Sequence, residues 1–229
     1  MRAHPESTRE AVILLHGLGR TRRAMVPLAA ALRKAGYAVV NFGYPSTKRP
    51  VAELAADAIP EALRAAEALL APSATAGRRI HFVTHSLGGI LVRLYLSQHR
   101  IPALGRVVML APPNQGSEVA DRLRRHPLYR AAVGPSGLEL GTDPGSVPLR
   151  LPAVDFELGV IAGDRSADPW FSHWIEGADD GKVSTARTRV AGMRDFLVVH
   201  CPHPFIMRHR EAIEQTVHFL RHGAFRSPS

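Results

Sequence analysis

The sequence holds one cysteine, Cys201. That excludes an internal disulfide and any cysteine-based zinc framework, and it fits a reducing compartment. No apolar run approaches the roughly 20 residues that a bilayer-spanning helix needs. The opening stretch, Met1 to Glu10, is polar and has no apolar core, so it does not read as a signal peptide. The expected location is therefore cytoplasmic, unless a signal was removed before this numbering begins. Acidic residues are the scarcer charge: 20 Asp and Glu face 29 Lys and Arg, for a formal net charge of +9. The basic residues are scattered and mostly arginine, and the dense clusters, Arg20–Arg23 and Arg122–His126, are not interleaved with aromatics at a stacking spacing. A solvated arginine-rich surface is expected, with no nucleic-acid partner. Weak association with an anionic membrane surface is the partner that such a charge leaves open.

What is present is ordinary for a folded globular chain: 229 residues, 45% apolar and 21% charged. The expectation is a single domain over residues 1–229. Short apolar runs read as strands at Ala11–His16, Tyr37–Phe42, Ile80–Thr84, Arg106–Leu110, Phe156–Ala162 and Phe196–Val199. Helical spacing alternates with them at Thr21–Lys34, Val51–Leu70, Leu87–His99 and Phe205–Arg221, and Pro60 predicts a kink or boundary in the second. Strands alternating with helices predict an α/β fold: a mostly parallel sheet with helices on both faces, its strands apolar throughout because both sides are covered. Residues 112–153 break the rhythm. They are rich in Gly and Pro, with one short helical candidate at Val119–Arg125, and predict a small cap or substrate-binding loop insertion. Their Leu123, Leu128, Tyr129, Val133, Leu138 and Leu140 are available to line a ligand site or to pack onto the core.

The strongest local signal is Thr84-His85-Ser86-Leu87-Gly88-Gly89, set between an apolar strand and a helix. That is the context of a nucleophile elbow, where a sharp turn holds a serine at the sheet edge and the helix N-terminus favours developing negative charge. Thr84 departs from the first glycine of the G-x-S-x-G pattern and predicts crowding. The plainer reading is that Ser86 only caps the helix. Upstream, His16-Gly17-Leu18-Gly19 follows the first strand. Such a turn supplies one backbone N–H to an oxyanion hole and the residue after the nucleophile supplies the other, here Leu18 and Leu87.

A serine hydroxyl needs a histidine to take its proton and a carboxylate to orient that histidine, in the chain order Ser, Asp or Glu, His. His200 and His203 both follow the last strand, and His203 is preferred because it lies deeper in the loop. For the acid, Asp164, Asp168, Asp179 and Asp180 are candidates, and position alone leaves Asp164 and Asp180 even.

Together these segments resemble bacterial lipase-like α/β hydrolases, the triacylglycerol lipase and GPI inositol-deacylase-like sets. The resemblance rests on VILLHGLGRT (12–21), THSLGG (84–89), LAPPNQGSEVAD (110–121), DDGKVS (179–184), HPFIM (203–207) and FLRHGAF (219–225). It implies the α/β-hydrolase fold, Ser86 as nucleophile, His203 as base and, through the Asp-Gly-x-Val turn, Asp180 as acid. Pro204 stands where related sequences often carry a polar residue. The implied activity is hydrolysis of carboxylic esters with short-to-medium acyl chains on a small-molecule or lipid substrate, with no cofactor and no metal. An acyltransferase or thioesterase with the same triad, or a non-catalytic binding protein on the same fold, are the alternatives.

Overall fold

The computed structural model describes residues 9–70 and 77–227; most of the polar opening stretch lies outside them. Six strands form one sheet: β1 (Glu10–Leu15), β2 (Ala38–Phe42), β3 (Arg79–His85), β4 (Leu104–Leu110), β5 (Leu158–Gly163) and β6 (Asp195–Val199). Their spatial order is β2-β1-β3-β4-β5-β6, and every pairing is parallel. The expected strands are all present, with ends shifted by one or two residues.

The helices are α1 (Val26–Lys34), α2 (Val51–Leu69), α3 (Leu87–Gln98), α4 (Glu118–Leu123), α5 (Pro127–Leu138), α6 (Val147–Arg150), α7 (Pro169–Ser172) and α8 (Arg210–His222). They cover both faces. Alternation along β1 sends Ala11, Ile13 and Leu15 toward α2 and α3, while Val12 and Leu14 meet α1 and α8. In β4, Val107 and Met109 face the first layer and Val108 and Leu110 the second. This double burial is why the strands read as continuous apolar runs.

Three expectations change. The first helix is preceded by a 3-10 turn (Arg22–Met25), and the last by another (His203–Arg208). No boundary falls at Pro60, which lies inside α2. There the buried face of Ala55, Ala58, Ile59 and Ala62 packs on the sheet and outweighs the lost backbone hydrogen bond. Residues 112–153 hold three helices, not one short one. A kink at Gly134 (φ 63°) interrupts α5, and a Cβ there would collide with the Thr47 backbone.

The chain leaves β1 toward β2 on one side and returns to β3 on the other. This reversal makes a crevice beyond the carboxyl ends of β1 and β3, where ligands bind in open α/β sheets. Segments His16–Leu18 and Ser86 occupy those ends. No described helix is long and apolar enough to cross a membrane.

Several histidines are sealed into this framework. His81 is fully buried on β3, its Nδ1 accepting the Arg106 N–H at 2.9 Å. Burial, reinforced by the charges of Arg106 and Arg79, pulls its pKa down to about 4. Burial also lowers His16 and holds His85 well below the usual 6.5. The unfolded chain therefore binds protons below pH 6.5 that the folded one refuses, so this contribution is intact above pH 6.5 and is lost as pH falls. His81 alone accounts for roughly 3 kcal/mol of that loss by pH 4. Urea midpoints should drop steadily below pH 6.5, and His81→Asn should flatten the slope; an unchanged slope would show that His81 is not the sensor.

Candidate active site

At the end of β3 the chain turns so sharply that Ser86 adopts φ 51°, ψ −121°. A non-glycine residue in that region is strained. Ala111, at the end of neighbouring β4, is the other described non-glycine residue with positive φ (48°). The Ser86 turn is held by its N–H donating to the Leu110 carbonyl (2.9 Å) and by the Gly89 N–H donating to the Ser86 carbonyl (2.9 Å). The surrounding glycines are spatial necessities. A Cβ on Gly88 would lie 2.8 Å from the Leu15 carbonyl oxygen, and one on Gly17 would lie 2.7 Å from His85 Nδ1. Thr84 is tolerated because Gly89 faces it: a Cβ there would approach Thr84 Oγ1 to 3.2 Å. The expected crowding is thus relieved from the helix side.

Ser86 makes no capping hydrogen bond, so the plainer reading of it as a helix cap fails. Its Oγ lies 3.1 Å from His203 Nε2, and His203 Nδ1 lies 2.7 Å from Asp180 Oδ2. A carboxylate only accepts, so Nδ1 carries the proton and Nε2 is free to accept from the serine hydroxyl. All three side chains are buried. The other oxygen of Asp180 accepts the N–H groups of Lys182 (3.0 Å) and Val183 (2.9 Å), possible because Gly181 turns the chain at φ 93°. The His203 N–H donates to the Asp180 carbonyl at 2.9 Å, tying the two loops together. Both reach the sheet over Gly163, where a Cβ would strike the Cys201 carbonyl oxygen at 2.2 Å. Pro204 does not displace the loop; it sits in the first turn of the 3-10 segment, where its missing N–H costs nothing.

Two of the passed-over candidates pair with each other. His200 Nδ1 lies 2.9 Å from Asp164 Oδ1, on a histidine side chain 74% exposed. Asp179 accepts from Ser172 Oγ and the Gly181 N–H, and Asp168 pairs with Lys182. Among the described residues, no group of three His, Cys, Asp or Glu is placed to hold a metal ion.

Ser86 and His203 open on a cavity of about 340 Å³. Leu18 lies in its wall, and Leu87 heads α3, where the first N–H groups have no partner within the helix. Of the six apolar residues left open between lining a ligand site and packing onto the core, Leu123, Tyr129, Val133 and Leu140 line it; Leu128 is 76% exposed and Leu138 half-buried. A larger cavity, about 630 Å³, runs along the outer edge of β2 and holds none of the three hydrogen-bonded residues.

Sequence reasoning missed the residues that brace this site. Tyr44 stacks on His16 (4.3 Å between centroids), and its hydroxyl donates to the His16 carbonyl. His85 Nε2 contacts the His203 carbonyl at 3.1 Å; burial and the neighbouring His203 keep its ring neutral, so that nitrogen is the donor. Arg93, inside α3, donates to the Asn114, Leu151 and Pro152 carbonyls, anchoring both ends of segment 112–153. Only an arginine amid the apolar face of α3 hinted at that role.

The sequence matches the alpha/beta hydrolase family over residues 12–218. The chain belongs to that family. No curated protein matches it. Among solved structures, this alpha/beta hydrolase is similar to the mature Bacillus licheniformis lipase BlEst2 (18% identity, TM-score 0.70, 95% of this chain and 94% of that one). It is also similar to a Pyrococcus furiosus esterase (20% identity, TM-score 0.62, 94% and 83%). The phospholipase PlaB of Legionella pneumophila shares 22% identity at TM-score 0.61 over 79% of this chain and 45% of that one. At these identities the likeness is one of fold.

The elbow of this hydrolase leaves no room at Gly88. Gly88→Ala should lower stability by about 1–3 kcal/mol, because the obstructing atoms are backbone carbonyls that cannot swing aside. Thermal denaturation checks this; an unchanged midpoint would mean that the strand–helix contact is looser than described.

Proposed function

We propose that this alpha/beta hydrolase cleaves carboxylic esters through an acyl-enzyme on Ser86. The observation that carries the reading is the unbroken hydrogen-bonded line from Ser86 Oγ through His203 to Asp180, opening on a largely apolar cavity. Ser86 attacks the ester carbonyl as His203 Nε2 takes its proton. Asp180 holds the imidazole in the required tautomer and stabilises the imidazolium. The Leu18 and Leu87 N–H groups receive the oxyanion, where each donor is worth about 3 kcal/mol. Collapse breaks the bond to the alcohol, which leaves with the proton from His203. Water then attacks the acyl-enzyme by the same route and frees the acid and Ser86.

The lipase, phospholipase and esterase named among similar structures are in keeping with ester chemistry. The wall of Leu123, Tyr129, Val133 and Leu140 favours a short-to-medium acyl chain, with segment 112–153 as its cap.

Ser86→Ala should leave the fold intact and reduce hydrolysis of p-nitrophenyl butyrate by at least about 10⁴-fold. A fluorophosphonate probe should label the native protein and not this variant; full activity in the variant would exclude Ser86. Asp180→Asn should lose about three to four orders of magnitude in kcat, and Asp164→Asn little. The reverse pattern would transfer the acid to the exposed pair.

A further inference from the structure

The wall of the Ser86 cavity is unevenly charged. It includes two cationic side chains, Arg20 and Lys182, and no Asp or Glu among the described residues. Lys182 is partly committed: its Nζ lies 3.2 Å from Asp168 Oδ2 and 3.8 Å from the centre of the Phe171 ring. Arg20 is not. Its backbone N–H closes the turn onto the Gly17 carbonyl, and its exposed guanidinium pairs with no carboxylate among the described residues. Among the described arginines, Arg49, Arg100, Arg106, Arg124, Arg187, Arg194 and Arg210 pair with a carboxylate; what sets Arg20 apart from the others is its place in the wall of the Ser86 cavity. An unpaired guanidinium beside the cavity that holds Ser86 is a planar, five-donor fork suited to an oxyanion.

The apolar and cationic residues come from different parts of the chain. Leu123, Tyr129, Val133 and Leu140 belong to segment 112–153, whereas Arg20 and Lys182 come from the loops after β1 and β5. The cavity wall thus offers an acyl chain and an anionic group different parts of the chain to meet.

We propose that Arg20, assisted by Lys182, selects esters whose alcohol portion carries a phosphate. The proposal rests on Ser86 being the nucleophile of an ester hydrolase. The phosphate can belong to a soluble phosphorylated alcohol or to a lipid headgroup, and the chemistry of recognition is the same for both.

The test compares 1-hexanoylglycerol 3-phosphate with 1-hexanoylglycerol, an identical ester with and without the phosphate. The native enzyme should favour the phosphate ester in kcat/KM by about two- to fivefold, as expected for an exposed charge pair. Arg20→Gln should bring the ratio close to one and Arg20→Lys should restore much of it. Raising ionic strength to about 1 M should shrink it. A second arm offers the phosphate at a bilayer, comparing phosphatidic acid with diacylglycerol, each as the only carboxylic ester in vesicles of a dialkyl-ether phosphatidylcholine. A preference confined to vesicles, and lost in Arg20→Gln, assigns the phosphate to a lipid headgroup. Equal kcat/KM for both members in both arms, or a preference that Arg20→Gln retains in full, overturns the proposal while leaving ester hydrolysis intact. Calorimetric binding of 1-hexanoylglycerol 3-phosphate to Ser86→Ala, weakened by adding Arg20→Gln, reads recognition without turnover. Hydrolysis that survives in Ser86→Ala would instead sink the nucleophile.

Discussion

The tight turn at Ser86 is the constraint around which the site is arranged. A backbone held at φ 51° between a buried strand and a buried helix needs empty space on several sides. Gly17 supplies it at the end of β1, Gly88 beneath the Leu15 carbonyl, and Gly89 beside Thr84. The strain is local and the compensation is distributed: the Leu110 carbonyl receives the Ser86 N–H, and two apolar layers hold β3 and α3 in place. Strain of this kind persists only where its surroundings over-determine it. The sheet then does the positioning, because the reversal between β2 and β3 puts the ends of β1 and β3 side by side.

Asp180 and His203 are placed by a different device. Asp180 lies in a turn and His203 opens a short 3-10 segment; backbone hydrogen bonds fix both, with the Asp180 carbonyl accepting from His203 and the Asp180 carboxylate accepting from its own turn. Gly163 lets both loops settle on β5. The contrast with Asp164 and His200 is instructive. The same two residue types make the same kind of hydrogen bond elsewhere in these two loops, but on a solvated histidine side chain. What separates the pairs is burial and proximity to Ser86.

The strands and the elbow were legible in the sequence because their signals are local: a run of β-branched and apolar residues, and a serine before two glycines. The pairing Ser86–His203 was legible from chain order. The carboxylate that His203 meets was not, since Asp164 and Asp180 both follow a late strand and nothing local says which loop folds inward; resemblance to lipase-like hydrolases pointed to Asp180. Pro60 misled because its cost is local, while the packing of Ala58, Ile59 and Ala62 that outweighs it is tertiary. Residues 112–153 looked irregular because Gly134 and Pro135 interrupt their helical pattern. Their helices are held from outside by Arg93, Thr47 and Ser46. Tyr44 and His85 brace the site through contacts between distant segments that no spacing rule announces.

Those external holds on segment 112–153 bear on how the cavity meets a substrate. One side is fastened to the loop before α2: Ser136 Oγ donates to the Ser46 carbonyl, and the Val51 N–H donates to Glu139 Oε2 at 2.7 Å. The other is fastened through Arg93 and through Asn114, whose amide donates to the Thr188 carbonyl at 2.7 Å. A wall bolted on both sides has already surrendered its conformational entropy during folding. A ligand entering it loses little affinity to ordering the protein, and discrimination between ligands falls to the fixed shape of the walls, more like a gauge than a closing hand.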